Sequence, residues 1–121
     1  MTNQELSQLA NGLPECGKIR DKKIAYAVAR NIAKTNTAMK ERETNLKALQ
    51  LVHCKKKGGE PIVINDQIQM DDPKAWTEAW LAFQEEKVDI KLHKIRFSDI
   101  PDDVSGNEMA TFLNFTDGAP Q

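Results

Sequence analysis

Along residues 18–57 the mostly apolar positions Ile24, Val28, Ile32, Thr35, Met39, Leu46 and Leu49 recur at three-, four- and seven-residue intervals. That spacing places them on one face of an α-helix. Ala25, Ala27, Ala29, Ala33, Ala38 and Ala48 raise helix propensity, and no Gly or Pro interrupts the stretch. Lys23, Arg30, Lys34, Lys40, Glu41, Glu43 and Lys47 occupy the other faces. Lys55, Lys56 and Lys57 suit the negative end of a helix dipole, and Gly58-Gly59 then stops the helix. The pattern predicts one helix over 18–57, about 60 Å long at about 1.5 Å per residue. An apolar stripe of that length has to be covered.

The flanking segments carry their own signals. Thr2 and Glu5 have capping-box spacing ahead of Leu6 and Leu9, and Asn11-Gly12 with Pro14 predicts that this first helix stops there. Residues 61–70 read as a β-hairpin turning at Asn65-Asp66. Asp72 as N-cap and Pro73 at the first helical position open a helix over 72–87, with Trp76, Trp80 and Phe83 on one face. Those rings either cover the long helix's stripe or anchor a partner. In 88–97, Val88, Ile90 and Leu92 alternate with Asp89, Lys91 and His93, a strand signal that resumes at Ile95 and Phe97 after a bulge near 93–94. Ser105 with Glu108 opens a last helix over 105–115, with Met109, Phe112, Leu113 and Phe115 inward, before a frayed tail from 116 to 121.

These elements predict an α+β fold in one domain: a long helical hairpin with a small antiparallel β element and short terminal helices. The 72–87 helix and the 88–97 strand together rise about as far as the outgoing helix, so the return path retraces it. Strand 88–97 needs partners for its backbone groups, from the hairpin or from a second chain pairing at its edge. The second option makes the chain a homo-oligomer. Trp76, Trp80, Val88, Ile90 and Leu92 are therefore the candidate partner-binding residues.

Composition shifts this picture modestly. With 40% hydrophobic and 29% charged residues in 121, the chain suits an elongated body or a core completed by association. No apolar run approaches the roughly 20 residues that span a bilayer, and the first residues lack signal-peptide character. A cytoplasmic protein without membrane contact is the expectation. Charge is unevenly placed: residues 1–60 hold 12 Lys and Arg against 6 Asp and Glu, and residues 61–121 hold 5 against 12. A basic helix packed against an acidic return segment explains this without a ligand. Nucleic-acid contact by Lys22, Lys23, Arg30, Lys34, Lys55, Lys56 and Lys57 is the alternative, with Lys18 and Arg20 beside them.

Candidate chemistry is sparse. Cys16 and Cys54 lie about 50 Å apart if the helix is straight, too far for a disulfide, so two free thiols are expected. His53, Cys54, His93 and Cys16 match no zinc spacing, and Gly58-Gly59 lacks the rest of a phosphate loop. The paired carboxylates Asp71-Asp72, Glu85-Glu86 and Asp102-Asp103 are sequence neighbours that point apart on a regular element. No catalytic residues, metal or cofactor are expected. A small enzyme using a histidine with carboxylates is the remaining alternative.

The segment Lys23-Ile24-Ala25-Tyr26-Ala27-Val28-Ala29-Arg30-Asn31 resembles a family of short, uncharacterised bacteriophage and prophage proteins in which a similar phrase opens a long charged helix. Gly59-Glu60-Pro61, the acidic-aromatic stretch 72–86, Leu92-His93-Lys94-Ile95 and Ile100-Pro101 fall in the matching order. The chain departs from that pattern at Cys54–Lys57 and at Ile24, where the family favours an acidic stretch and an aromatic residue. The resemblance implies no activity and no catalytic residues. It implies a viral product in the bacterial host cytoplasm, acting by protein contact in virion assembly or host interaction.

Overall fold

Leu6, Leu9, Leu13 and Cys16 form one stripe at helical spacing, and all four are buried in the computed structural model, which describes residues 1–19 and 21–118. They belong to α1 (Asn3–Cys16), opened by the Thr2/Glu5 capping box. The predicted stop at Asn11-Gly12 and Pro14 does not occur; both lie inside α1. Gly12 is a contact rather than a terminus, since a β-carbon there would overlap the Thr111 hydroxyl. Pro14 sits in the last turn, where its missing N–H removes at most one helical bond. Burial of Leu13 and Cys16 beside it outweighs that loss.

The long helix, α2 (Lys22–His53), is capped by Asp21, whose carboxylate accepts from the Ile24 amide at 3.1 Å. Its buried residues, Ile24, Ala27, Val28, Asn31 and Thr35, all lie in the first half. There it packs on α1 and joins a core with Ile95, Ile100, Phe112 and Phe115. The last two come from α4 (Gly106–Phe112), with its Ser105/Glu108 capping box, and the 3₁₀ turn Leu113–Phe115. Leu113, predicted inward, is exposed.

Beyond Thr35, α2 continues as an arm packed against α3 (Pro73–Glu85), itself capped by Asp72 through the Lys74 and Ala75 amides. The arm ends in two hairpins. In one, β1 (Lys56–Lys57) pairs β2 (Glu60–Pro61) across Gly58-Gly59; in the other, β3 (Val63–Ile64) pairs β4 (Gln67–Ile68) across Asn65-Asp66. All four turn residues have positive φ, as a two-residue type I′ turn demands. α2 therefore stops at His53 rather than Lys57, and the lysine triplet enters a hairpin that helical patterning does not predict. Three backbone bonds close a ring at the junction: Ile62 N–H to Lys55 O, Gln69 N–H to Ile62 O, and Lys55 N–H to Gln69 O, at 2.8–2.9 Å.

The return stretch 88–94 forms no regular secondary structure; β5 (Ile95–Arg96) pairs, in parallel, with β6 (Thr116–Asp117). Four backbone groups of the return stretch find partners inside the chain. The Val88 N–H donates to Met1 O, the Lys34 ammonium to Lys91 O, and Asn31 holds both polar groups of His93. The ladder strand expected over 88–97 is reduced to Ile95–Arg96. The chain is thus mixed α+β, with one long helix, three shorter ones and small strand pairs among the described residues. Arg20 and tail residues 119–121 lie outside the described residues.

Candidate functional site

Two surfaces emerge, one at each end of α2. On the arm, α3 lays its aromatic face against the second half of α2. Trp76 lies 6.0 Å from the His53 ring, Trp80 6.2 Å from Trp76, and Phe83 6.0 Å from Trp80. The Arg42 guanidinium spans the last two, 5.3 Å from the Phe83 centroid and 6.0 Å from Trp80, and donates to Gln84 Oε1 at 2.9 Å. Trp76 and Trp80 are half-buried and Phe83 buried, so the rings act chiefly as cover for the stripe.

One flank of this helix pair stays open. A groove of about 580 Å³ runs between α2 and α3, lined by Asn45, Leu49, Ala79, Ala82, Phe83 and Glu86. Alanines on α3 hold its wall low, Phe83 forms an apolar floor, and Glu86 is its one charged wall. Helical periodicity extends that flank through Ala75 and Glu78. Nearer the tip Leu51, Val52, Val63 and Ile64 are exposed, Val52 to 75%. Val88, Ile90 and Leu92 are half-buried along the return stretch, and Leu92 packs on the core.

The other surface lies where α2 leaves the core. Lys23, Tyr26, Arg30 and Lys34 share one flank of the helix at spacings of three and four. The return stretch passing beside them is Lys91–Arg96, itself basic. Lys23 and Tyr26 line a cleft of about 360 Å³ with His93, Lys94, Ile95, Arg96, Asp99 and Asp117. The Tyr26 ring meets His93 edge-on at 5.3 Å and lies 5.8 Å from the Arg30 guanidinium. Among the described residues the one ion pair is Lys18 with Glu15, at 3.8 Å. At this end Lys23, Lys94 and Arg96 share the cleft with Asp99 and Asp117 without forming an ion pair among the described residues.

The seven cationic residues proposed from sequence do not form one site. Lys22, Lys23, Arg30 and Lys34 stand at the core end, and Lys55, Lys56 and Lys57 are exposed on the tip, roughly 30 to 45 Å of helix away. Tyr26, His93, Lys94 and Arg96 were not among the seven. Asn31 is a readable signal, an amide in the middle of a mostly apolar buried face. Cys16 and Cys54 are both buried and unpaired, and burial pushes the Cys16 thiol up from its ordinary 9.0 to about 11. No cluster of three His, Cys, Asp or Glu suited to a metal occurs among the described residues, and none of their helices is long and apolar enough to cross a membrane.

Comparison of the chain with protein-family models, curated proteins and solved structures gives no match.

Proposed function

We propose that the chain is a non-catalytic accessory protein that works by protein–protein contact, receiving a partner helix in the groove between α2 and α3. The observation that carries this reading is the open flank itself. An apolar floor of Leu49 and Phe83 lies beneath low alanine walls, on an arm whose α3 is tied to α1 through Asn3. Two helices make only one layer, and a helix laid into such a groove supplies the second. Glu86 on the wall, with Glu78 on the same flank, favours a partner carrying basic residues beside an apolar ridge. A second copy of the chain offers the same acidic flank and brings carboxylate to carboxylate, so self-association is the competing occupant. The family resemblance is the ground for a phage context, in virion assembly or contact with a host protein.

A short amphipathic Leu/Lys peptide, titrated while Trp76 and Trp80 fluorescence is followed, tests the groove. The peptide should bind at low salt, a Leu/Glu peptide of the same pattern should not, and Ala82→Arg should abolish binding. Ala82 is exposed, so that variant keeps the fold. Equal binding of both peptides, or binding indifferent to Ala82→Arg, overturns the reading. Light scattering that shows a dimer dispersed by Ala82→Arg assigns the groove to a second copy instead.

A further inference from the structure

We propose that the cleft between the start of α2 and Lys91–Arg96 is a binding site for single-stranded nucleic acid. It lies at the opposite end of α2 from the groove and does not depend on it. Cationic groups converge on the cleft from two elements far apart in sequence, Lys23 from α2 and Lys94 and Arg96 from the return stretch. None of the three is in an ion pair with another described residue. Such a field attracts a polyanion.

The aromatic component separates a single strand from other polyanions. Tyr26 is 54% exposed on a helix flank that is otherwise cationic. The His93 ring packs against it at a near-right angle, and Asn31 holds the His93 backbone in place, accepting from its amide N–H at 2.7 Å and donating to its carbonyl at 3.1 Å. The Arg30 guanidinium lies over the Tyr26 ring, so a base stacks on the ring's remaining surface or on the guanidinium plane, the kind of platform that single strands use. Asp99 and Asp117 also line the cleft. They offset part of the cleft's positive charge, and they can accept hydrogen bonds from the amino groups of bases, which an acidic peptide side chain does not offer. A duplex keeps its bases stacked inside and presents no face to Tyr26. The lysines of the far tip take no part.

The test is fluorescence anisotropy of the full chain with a labelled mixed-sequence single-stranded DNA, against its duplex and against polyglutamate. Preferential binding of the single strand is expected. With three phosphate contacts, raising salt fourfold should weaken it roughly 20-fold. Tyr26→Ala should lower affinity about tenfold at an unchanged melting temperature. Arg96→Gln should lower it severalfold and reduce the logarithmic salt slope by about 0.7. The double variant Lys56→Gln, Lys57→Gln should bind as the parent does. Failure to bind the single strand at low salt overturns the proposal. So does equal affinity for duplex or polyglutamate, or indifference to both Tyr26→Ala and Arg96→Gln.

Discussion

Asn31 ties the long helix to the return stretch, and Asn31→Leu isolates what that tie contributes. The side chain is fully buried, with its oxygen accepting from the His93 N–H at 2.7 Å and its nitrogen donating to the His93 carbonyl at 3.1 Å. In effect an amide from a helix replaces the missing neighbour strand. Leucine fills a similar volume but leaves both partners unbonded. His93 is only half-buried, so water recovers part of the loss, at about 1.5 kcal/mol for each bond. Added apolar burial returns about 1 kcal/mol, leaving a net cost of about 2 kcal/mol. With an unfolding entropy of about 2.1 cal/mol/K per residue, that lowers the Tm of this chain by about 8 °C. Thermal unfolding followed by circular dichroism measures it.

Asn31→Asp supplies the control. The carboxylate still accepts from His93 N–H but faces the His93 carbonyl, so its folded pKa lies above the unfolded one. A raised pKa means stability that is present at low pH and lost as pH rises through the folded value. The deficit of Asn31→Asp relative to the parent should therefore narrow on acidification. A Tm change of less than about 2 °C for Asn31→Leu would refute the clamp. A deficit for Asn31→Asp that does not change with pH would refute the assigned geometry.

Other consequences are as direct. Gly12→Ala should destabilise the fold by about 1–3 kcal/mol, through the clash with Thr111, although alanine is the better helix former by about 1 kcal/mol. Urea titration should show the cost relieved in the double variant with Thr111→Ala. Because the Cys16 thiol is raised to about 11, its neutral form favours the fold. That contribution is complete below pH 9 and falls away between about 9 and 11, so the loss in stability over that window should vanish in Cys16→Ala. Asp72→Ala removes the cap that accepts from the Lys74 and Ala75 amides and should cost about 1 kcal/mol by urea titration.

What was legible in the chain was local. The caps at Thr2, Asp72 and Ser105 sit where short-range spacing puts them, because a cap is decided within four residues. The turn at Asn65-Asp66 and the aromatic face of α3 follow from the same kind of rule. What failed was decided at long range. Gly12 reads as a helix stop until Thr111 arrives from α4 to need its bare α-carbon. Lys55–Lys57 read as helix until residues 60–62 and 69 compete for their backbone. The run 88–94 alternates like a strand, yet its hydrogen bonds come from Asn31, Lys34 and the first residue of the chain. The basic cleft escaped notice for a related reason. The acidic bias of residues 61–121 as a whole hides the basic stretch Lys91–Arg96 that reaches α2.

The arm as the interaction surface is the central claim, and amide shift mapping tests it most directly. On adding the Leu/Lys peptide to the ¹⁵N-labelled chain, shifts should concentrate at residues 45–49 and 79–86, leaving the core residues of α1 and α4 unmoved. Shifts confined instead to the Lys91–Arg96 cleft or the lysine tip, with 45–49 and 79–86 unchanged, would contradict it.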